Sequence, residues 1–463
     1  MNQSQRHNDG YSNVGRNAYY SNGRATKPQA HMSPAPQLDK RPIIIAAAVA
    51  AILLIVILVN VVSCIAGAQE KSAEPTLVTS AAPVETVSTA TVADTTASNT
   101  ERRVSFCAVG DNLINEATEV GTTQDMLGLA DSWGGSGAGD GVYDFSPLYR
   151  ELSPIVSGYD IAFINQETVL GGTDYYGYSG YPSYNSPDAV AQAISDAGFD
   201  VVTSNTNHTY DYWVDCIQHS LDVWKNFPNL LVIGTYSSEE ERETAHVIER
   251  NGVRVGFLSY SYGQNGYDQS DLPNDYYAVP WDDDKFAEDY ARTRAEADVV
   301  IVYMHGGDEY TSTPNDWQRH IAQTCADAGV DLVIGSHAHV IQEFEYVTRS
   351  TGGTMPCAYG LGDLVSSYNS YPETVLSGMF SCDIVVADDG AVSIENIAWT
   401  PLIENWTTSA DGTDDDYVAL VSSMSESDAA NDVLLSTLGS DAYTWMRQHT
   451  HDVLDSSGIE IRD

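Results

Sequence analysis

Four histidines in this chain stand directly behind short apolar runs. Residues 331–334 lead into Gly335-Ser336-His337-Ala338-His339-Val340. Residues 299–304 lead into His305-Gly306-Gly307-Asp308-Glu309, and 201–204 into Asn205-Thr206-Asn207-His208. An apolar run cut off by Gly or Asn reads as a buried strand that delivers a loop. In an extended backbone residues i and i+2 face the same way, so His337 and His339 are expected to aim at one point. Neutral imidazoles aimed together suit a transition metal. Carboxylates stand at matching places: Asp111 closes the run 104–109, and Glu167 follows the run 161–164. Mixed His and carboxylate ligation suits manganese, zinc or iron; thiolate sites and all-oxygen calcium cages look different. A lone His is more often a satisfied core or surface group, and a lone Asp after a strand a turn residue. Five strand ends carrying such residues in one region point to a divalent metal centre instead. His449-Thr450-His451 does not belong to it, because helical residues two apart point about 200° from one another.

The elements that must carry these residues alternate. Strands are expected at 104–109, 161–164, 201–204, 230–233 and 253–260. Helices are expected at 187–198, from Pro187 to Gly198, at 211–227 and at 283–296. The strand to Met304, a helix over 315–328 and the strand to Ile334 make a βαβ unit. Strands then dominate, at 344–347, 357–359, 379–387 and 392–399. Such an order predicts two sheets packed face to face with helices outside. Ligand sites in open α/β sheets lie at the carboxyl ends of the strands, where these residues stand.

The chain has 463 residues and a net charge of −44, with 21 Lys and Arg against 65 Asp and Glu. So acidic a chain lacks the basic footprint of a nucleic-acid binder. Its 43% hydrophobic content is enough for a large core. Residues 1–42 are polar and Gly/Ser/Asn-rich, with six basic against two acidic side chains, and read as a disordered cytoplasmic tail. Residues 43–66 are apolar over a length that spans about 30 Å of bilayer, which predicts a single transmembrane helix. The positive-inside rule then puts the globular part outside the cell membrane, anchored by that helix. Val61-Val62-Ser63-Cys64 resembles a bacterial lipobox. Residues 67–102 read as a Ser/Thr/Ala-rich linker, 103–403 as the folded domain, and 404–463 as a helical acidic tail. Cys357 and Cys382, in successive expected strands, are expected to pair in that compartment.

Taken together, these segments resemble the CapA family, associated with poly-gamma-glutamate capsule synthesis. Gly110-Asp111, Asn165-Gln166-Glu167-Thr168, Asn205-Thr206-Asn207-His208-Thr209-Tyr210-Asp211-Tyr212, His305-Gly306-Gly307-Asp308-Glu309-Tyr310, Gly335-Ser336-His337-Ala338-His339-Val340-Ile341-Gln342 and Leu361-Gly362-Asp363-Leu364 follow its motif order. The family in turn resembles calcineurin-like metallophosphoesterases. That resemblance implies an α/β, four-layer αββα sandwich with one or two divalent ions. By position, Asp111 and His339 would hold one ion and Asn207, His305 and His337 the other, with Glu167 bridging. His208 would be the catalytic proton donor. Two ions about 3.5–4 Å apart can clamp the entering and leaving oxygens of a displacement. Four positions depart from the pattern, the first being Glu167, which stands where the bridging residue is usually Asp. Leu113 stands where a His ligand is usual, so the first ion is expected to be bound weakly. Gly306 stands in place of Trp, and Asp363 in place of Asn.

The resemblance implies a membrane-anchored protein for synthesis or export of a capsule polymer, with other capsule-synthesis membrane proteins as partners. The alternatives are an extracellular metal-dependent phosphoesterase of other substrate, and a non-catalytic cell-envelope scaffold. Bound metal with hydrolysis of a simple phosphoester separates the two.

Overall fold

The computed structural model describes residues 101–115, 125–366, 371–410 and 412–463. Their strands are, in chain order, β1 (Arg102–Asn112), β2 (Ile161–Gln166), β3 (Val201–Thr203), β4 (Leu231–Ile233), β5 (Val247–Arg250), β6 (Val253–Ser261), β7 (Val299–His305) and β8 (Leu332–Ser336). They continue as β9 (Phe344–Thr348), β10 (Thr354–Ala358), β11 (Asp363–Val365), β12 (Leu376–Val386), β13 (Val392–Thr408), β14 (Asp414–Leu420) and β15 (Glu460–Ile461).

Two sheets form. The larger has nine strands, in the order β14-β13-β12-β1-β2-β3-β4, with β11 beside β1 and β15 beside β13. The smaller has six, in the order β5-β6-β7-β8-β10-β9. Strands β1 to β4 run parallel, as do β6 to β8. Their runs are mostly apolar because both faces are largely covered, with Arg254 on β6 an exposed exception. On β1, Phe106 and Ala108 pack between the sheets against Phe163, Phe257, Ile301 and Ile334. Cys107 and Val109, one residue on, pack outward against Val190 and Ile194 of the helix Ala189–Ala197. The far face of the smaller sheet is covered by Phe286 from the helix Asp283–Glu296 and by Ile321 and Cys325 from the helix Asp316–Ala328. The layers are therefore helix, sheet, sheet, helix. Each βα connection starts and stops its helix locally: Asn315 and Gln318 form a capping box, and Gly198 and Gly329 end their helices in the left-handed conformation.

Four expectations are corrected. Among the described residues no helix is long and apolar enough to cross a membrane. The longest α-helix there, Asp283–Glu296, has 14 residues and is strongly charged. At about 1.5 Å per residue it covers about 21 Å, short of a bilayer core of about 30 Å. The transmembrane helix, the membrane anchoring, the single-pass topology with an extracellular domain and the membrane partners are accordingly set aside. The tail 1–42, the segment 43–66 and the linker up to residue 100 lie outside the described residues. Next, Cys357 and Cys382 are buried free thiols. They belong to different sheets, Cys357 facing the helix side of the smaller one and Cys382 the space between the two. Third, β13 runs through residue 403 to Thr408 and pairs with β14, so the stretch expected as a helical tail also supplies strands. Its helix Ala442–Leu454 packs Met446 against Ile403 and Val421. The fourth correction concerns the ligands of the first ion and is taken up with the site.

Candidate metal centre

The parallel strands of both sheets end at one edge, and the polar residues behind them converge there. On the larger sheet Asp111 sits in register with Asn165 on one side and Asp363 on the other. On the smaller, His305 is in register with Ser336, which precedes His337. The crossing of β1 with the turn before β11 needs two glycines. A Cβ at Gly110 would stand 1.9 Å from the Gly362 carbonyl oxygen, and Gly362 itself holds φ +77°. Only glycines allow that approach. It lets the Asp111 backbone N–H donate to Gly362 O at 3.1 Å and brings Asp363 beside Asp111.

Two ligand groups result, and they share a residue. Glu167, His305 and His337 form one; Asp111, Glu167, His339 and Asp363 form the other, each with its ligand atoms within 4.8 Å of one another. Asn207 Oδ1 lies 2.8 Å from His305 Nε2, and so belongs beside the first group. His208 Nε2 lies 4.0 Å from Glu167 Oε1. The seven residues singled out in the sequence, Asp111, Glu167, Asn207, His208, His305, His337 and His339, thus stand in one pocket.

His337 and His339 are not extended. Both hold positive φ, +101° and +59°. Their rings are 6.0 Å apart and enter different groups, on either side of Glu167. The argument that residues two apart aim at a single point therefore does not describe this loop. It turns through left-handed backbone, costly for a non-glycine, and the turn splits the pair.

Asp363 is the residue that sequence reasoning missed as a ligand. Leu113, at the position of the usual second His, is buried in the fold and its backbone N–H donates to Val365 O at 2.8 Å. Asp363 comes from the neighbouring β11 and supplies an oxygen in its stead, so the first group is not short of donors. The signal was legible: Gly362-Asp363 repeats the Gly110-Asp111 pattern. Gly306, in place of Trp, also has a reason. A Cβ there would meet the Trp317 ring at 2.6 Å, so an indole already occupies that space.

The surroundings orient the donors and keep His305 and His337 neutral, while burial pushes the Asp111 and Asp363 carboxyls up toward the protonated form. Asn165 Nδ2 donates to Asp111 Oδ1 at 2.6 Å, and the His337 backbone N–H to Asp111 Oδ2 at 3.0 Å. His339 Nδ1 donates to Asp363 Oδ1 at 2.9 Å, leaving Nε2 for the centre. Burial holds His305 down at about 4, and His337 well below the usual imidazole range, so both are neutral. Burial, and then the charge of Glu167, raise Asp111 to about 6. Burial pulls His208 down, but its hydrogen bond to Asp211 at 2.7 Å and the Asp211 charge outweigh this and raise it.

A divalent cation fits these residues. Both oxygens of Glu167, Oδ2 of Asp363 and Nδ1 of His337 are buried without a hydrogen-bond partner among the described residues. Leaving such groups unmatched costs on the order of 1–3 kcal/mol each, more for charged ones. Cations held by the two groups would answer them. The two groups provide for one or two divalent ions, and the donor set of imidazole and carboxylate suits manganese, zinc or iron.

Residues 105–368 match the family described as Bacterial capsule synthesis protein PGA_cap. The chain belongs to this family. Over 177 residues it is 30% identical to the PGA biosynthesis protein CapA of Bacillus subtilis (strain 168), covering 38% of this chain and 44% of that one. Over 234 residues it is 24% identical to the Capsule biosynthesis protein CapA of Bacillus anthracis, covering 48% and 54%. The chain thus spans about half the length of these CapA relatives. A structure of the Haemophilus influenzae NAD nucleotidase (NadN) is similar at a TM-score of 0.40 and 10% identity, covering 78% of this chain and 57% of that one. The PGA_cap match takes in most of β1 and all of β2 to β11, and with them every candidate ligand residue named above.

Proposed function

We propose that this PGA_cap protein is a divalent-metal-dependent hydrolase of phosphoesters, working in the biosynthesis of a capsule polymer, the process for which its CapA relatives are named. The observation that supports this best is Glu167, shared by two ligand groups and 4.0 Å from the His208 imidazole. Bound divalent ions would supply Lewis acidity, lowering the pKa of water and neutralising phosphate oxygens. The chain's own residues do the rest. Asp111, Glu167, His305, His337, His339 and Asp363, with Asn207, orient the centre from rigid strand ends. His208 keeps Nδ1 on Asp211 and holds a proton on Nε2 toward the pocket. Asp211 is itself fixed, because its Oδ2 accepts the Tyr184 backbone N–H at 2.7 Å. In hydrolysis, water adds to phosphorus and loses a proton to solvent, the bond from phosphorus to the ester oxygen breaks, and His208 gives its proton to that leaving oxygen.

The leaving group supplies the test. A phenolate such as p-nitrophenolate departs without a proton, whereas an alkoxide needs one. With the full-length chain loaded with manganese or zinc, His208→Ala should keep its metal yet lose about 10²–10⁴-fold activity on an alkyl phosphate. On p-nitrophenyl phosphate the loss should be much smaller. Equal losses on both would remove His208 from the donor role. Metal-loaded protein that cleaves neither would remove the hydrolytic reading.

A further inference from the structure

The mouth of the centre is built from residues 167–188, 204–213, 262–282, 306–315, 337–343, 359–366 and 371–375. None of them contains a Lys or an Arg, while Asp174, Asp268, Asp271, Asp308 and Glu309 all lie in them. What they carry instead is rings. Among the described residues eight aromatic side chains are exposed, and seven are in these loops; Tyr346 on β9 is the exception. Scattered exposed apolar residues need no explanation, but a concentration around one pocket marks a binding surface.

The rings reach inward to the ligands. Tyr262, 44% exposed, lies 4.8 Å from the His337 ring. Tyr371, 48% exposed, lies 4.9 Å from Tyr310, which stacks on His339 at 5.7 Å. On the side of His208, Tyr176 lies 4.9 Å from Tyr212. Farther out, Trp213 and Tyr267 meet at 5.2 Å. Two of these rings sit on strained backbone: Tyr310 holds φ +58° and Trp213 φ +65°. Bulky side chains avoid that region, and such strain gathers at ligand clamps.

Among the described residues, Lys285 and Arg319, which meet these loops from neighbouring helices, are already engaged by Asp275 and by Glu343 and Glu345, so they offer a polyanion little. Flat rings with hydroxyls at the edge, set among carboxylates, suit a ligand with apolar C–H faces, many hydroxyls and no negative charge. We infer that the mouth binds a sugar chain, neutral or amino-bearing, by stacking its rings on Tyr262, Tyr371 and Tyr176, with an ammonium, where present, held over the ring faces. The inference rests on the hydrolytic reading for what happens at the centre. It adds that the ester presented there is borne by a glycan and not by a polyglutamate.

Calorimetric titration of the full-length, manganese-loaded chain tests it, with hexamers of glucose, N-acetylglucosamine and glucosamine, and with a poly-γ-glutamate oligomer, as probes. At least one sugar hexamer should bind, and tighter than polyglutamate. Tyr262→Ala and Tyr371→Ala should each weaken that binding about tenfold, a typical loss for an aromatic anchor. Tyr346→Ala, away from the mouth, should leave it unchanged. No binding by any hexamer, tighter binding of polyglutamate, or unaltered binding by both mouth variants would each overturn the inference. Metal content and phosphoester hydrolysis are read on the same samples. Hydrolytically active protein that ignores sugars sinks this inference alone. Sugar binding lost in the two variants, by protein that holds no metal, sinks the hydrolytic reading alone.

Discussion

Asp363 decides how complete the centre is. With Leu113 in place of a second His, the group around Asp111 and His339 would be starved of donors; Asp363 restores one through a neighbouring strand. Asp363→Ala should therefore lower metal content by about one ion per chain, while leaving the group at His337 loaded. Leu113→His should not raise occupancy. That side chain is 1% exposed, and a buried imidazole left without a partner there would destabilise the fold by about 1–3 kcal/mol. Metal analysis with thermal unfolding of both variants checks the pair of outcomes. Asp111, Glu167 and the four histidines were legible because each follows an apolar run whose end is marked by Gly or Asn. Asp363 was less so, since its strand has three residues and no period to read. The opposite fates of His337 and His339 were not legible, because positive φ at a non-glycine leaves no mark in a sequence.

The parallel strands and their helices were legible to within a few residues, since both-face burial makes uninterrupted apolar runs and the helices carry caps. The antiparallel side was harder. β13 runs 17 residues and crosses from an amphipathic half into a buried one, so its second half reads as a new element. Buried there is a carboxylate that nothing in the sequence announces. Neither oxygen of Asp416 finds a donor among the described residues, and Glu404 lies beside it. Burial first, and then Glu404, raise Asp416 well above the usual carboxylate range. Its only bond to Glu404 is through a proton of its own. A carboxyl group raised in the folded state stabilises fully below its unfolded pKa of about 3.9, and that stability is lost as pH climbs through the raised value. Asp416→Asn carries a permanent N–H donor. Urea unfolding should show the variant gaining about 1–3 kcal/mol on wild type between pH 4 and 8, with the gap widening toward the alkaline side. Parallel pH profiles would show that Asp416 is not protonated in the folded chain.

Across the whole molecule, the charge and the centre belong to one argument. The chain outside its first 66 residues carries 63 Asp and Glu against 15 Lys and Arg, and several of those carboxylates are packed at one strand-end pocket. A domain so built should lean on cations for its stability as well as its chemistry. Removing metal with a chelator should lower the unfolding temperature, and adding manganese or zinc should restore it. An ion present at a hundredfold over its dissociation constant contributes about 2.7 kcal/mol. No change in unfolding temperature would mean that the pocket holds its charges by protonation alone. The overall sandwich was legible from the order of strands and helices.

The central claim is that one carboxylate, Glu167, joins two ligand groups into a single centre. Elemental analysis of the purified full-length chain after loading with manganese or zinc and removal of excess tests it most directly. Wild type should hold about two ions, the number two such groups provide for, and Glu167→Ala, which takes a ligand from both, should hold fewer than one. Wild-type protein that holds no metal, or a Glu167→Ala variant that holds as much as wild type, would contradict it.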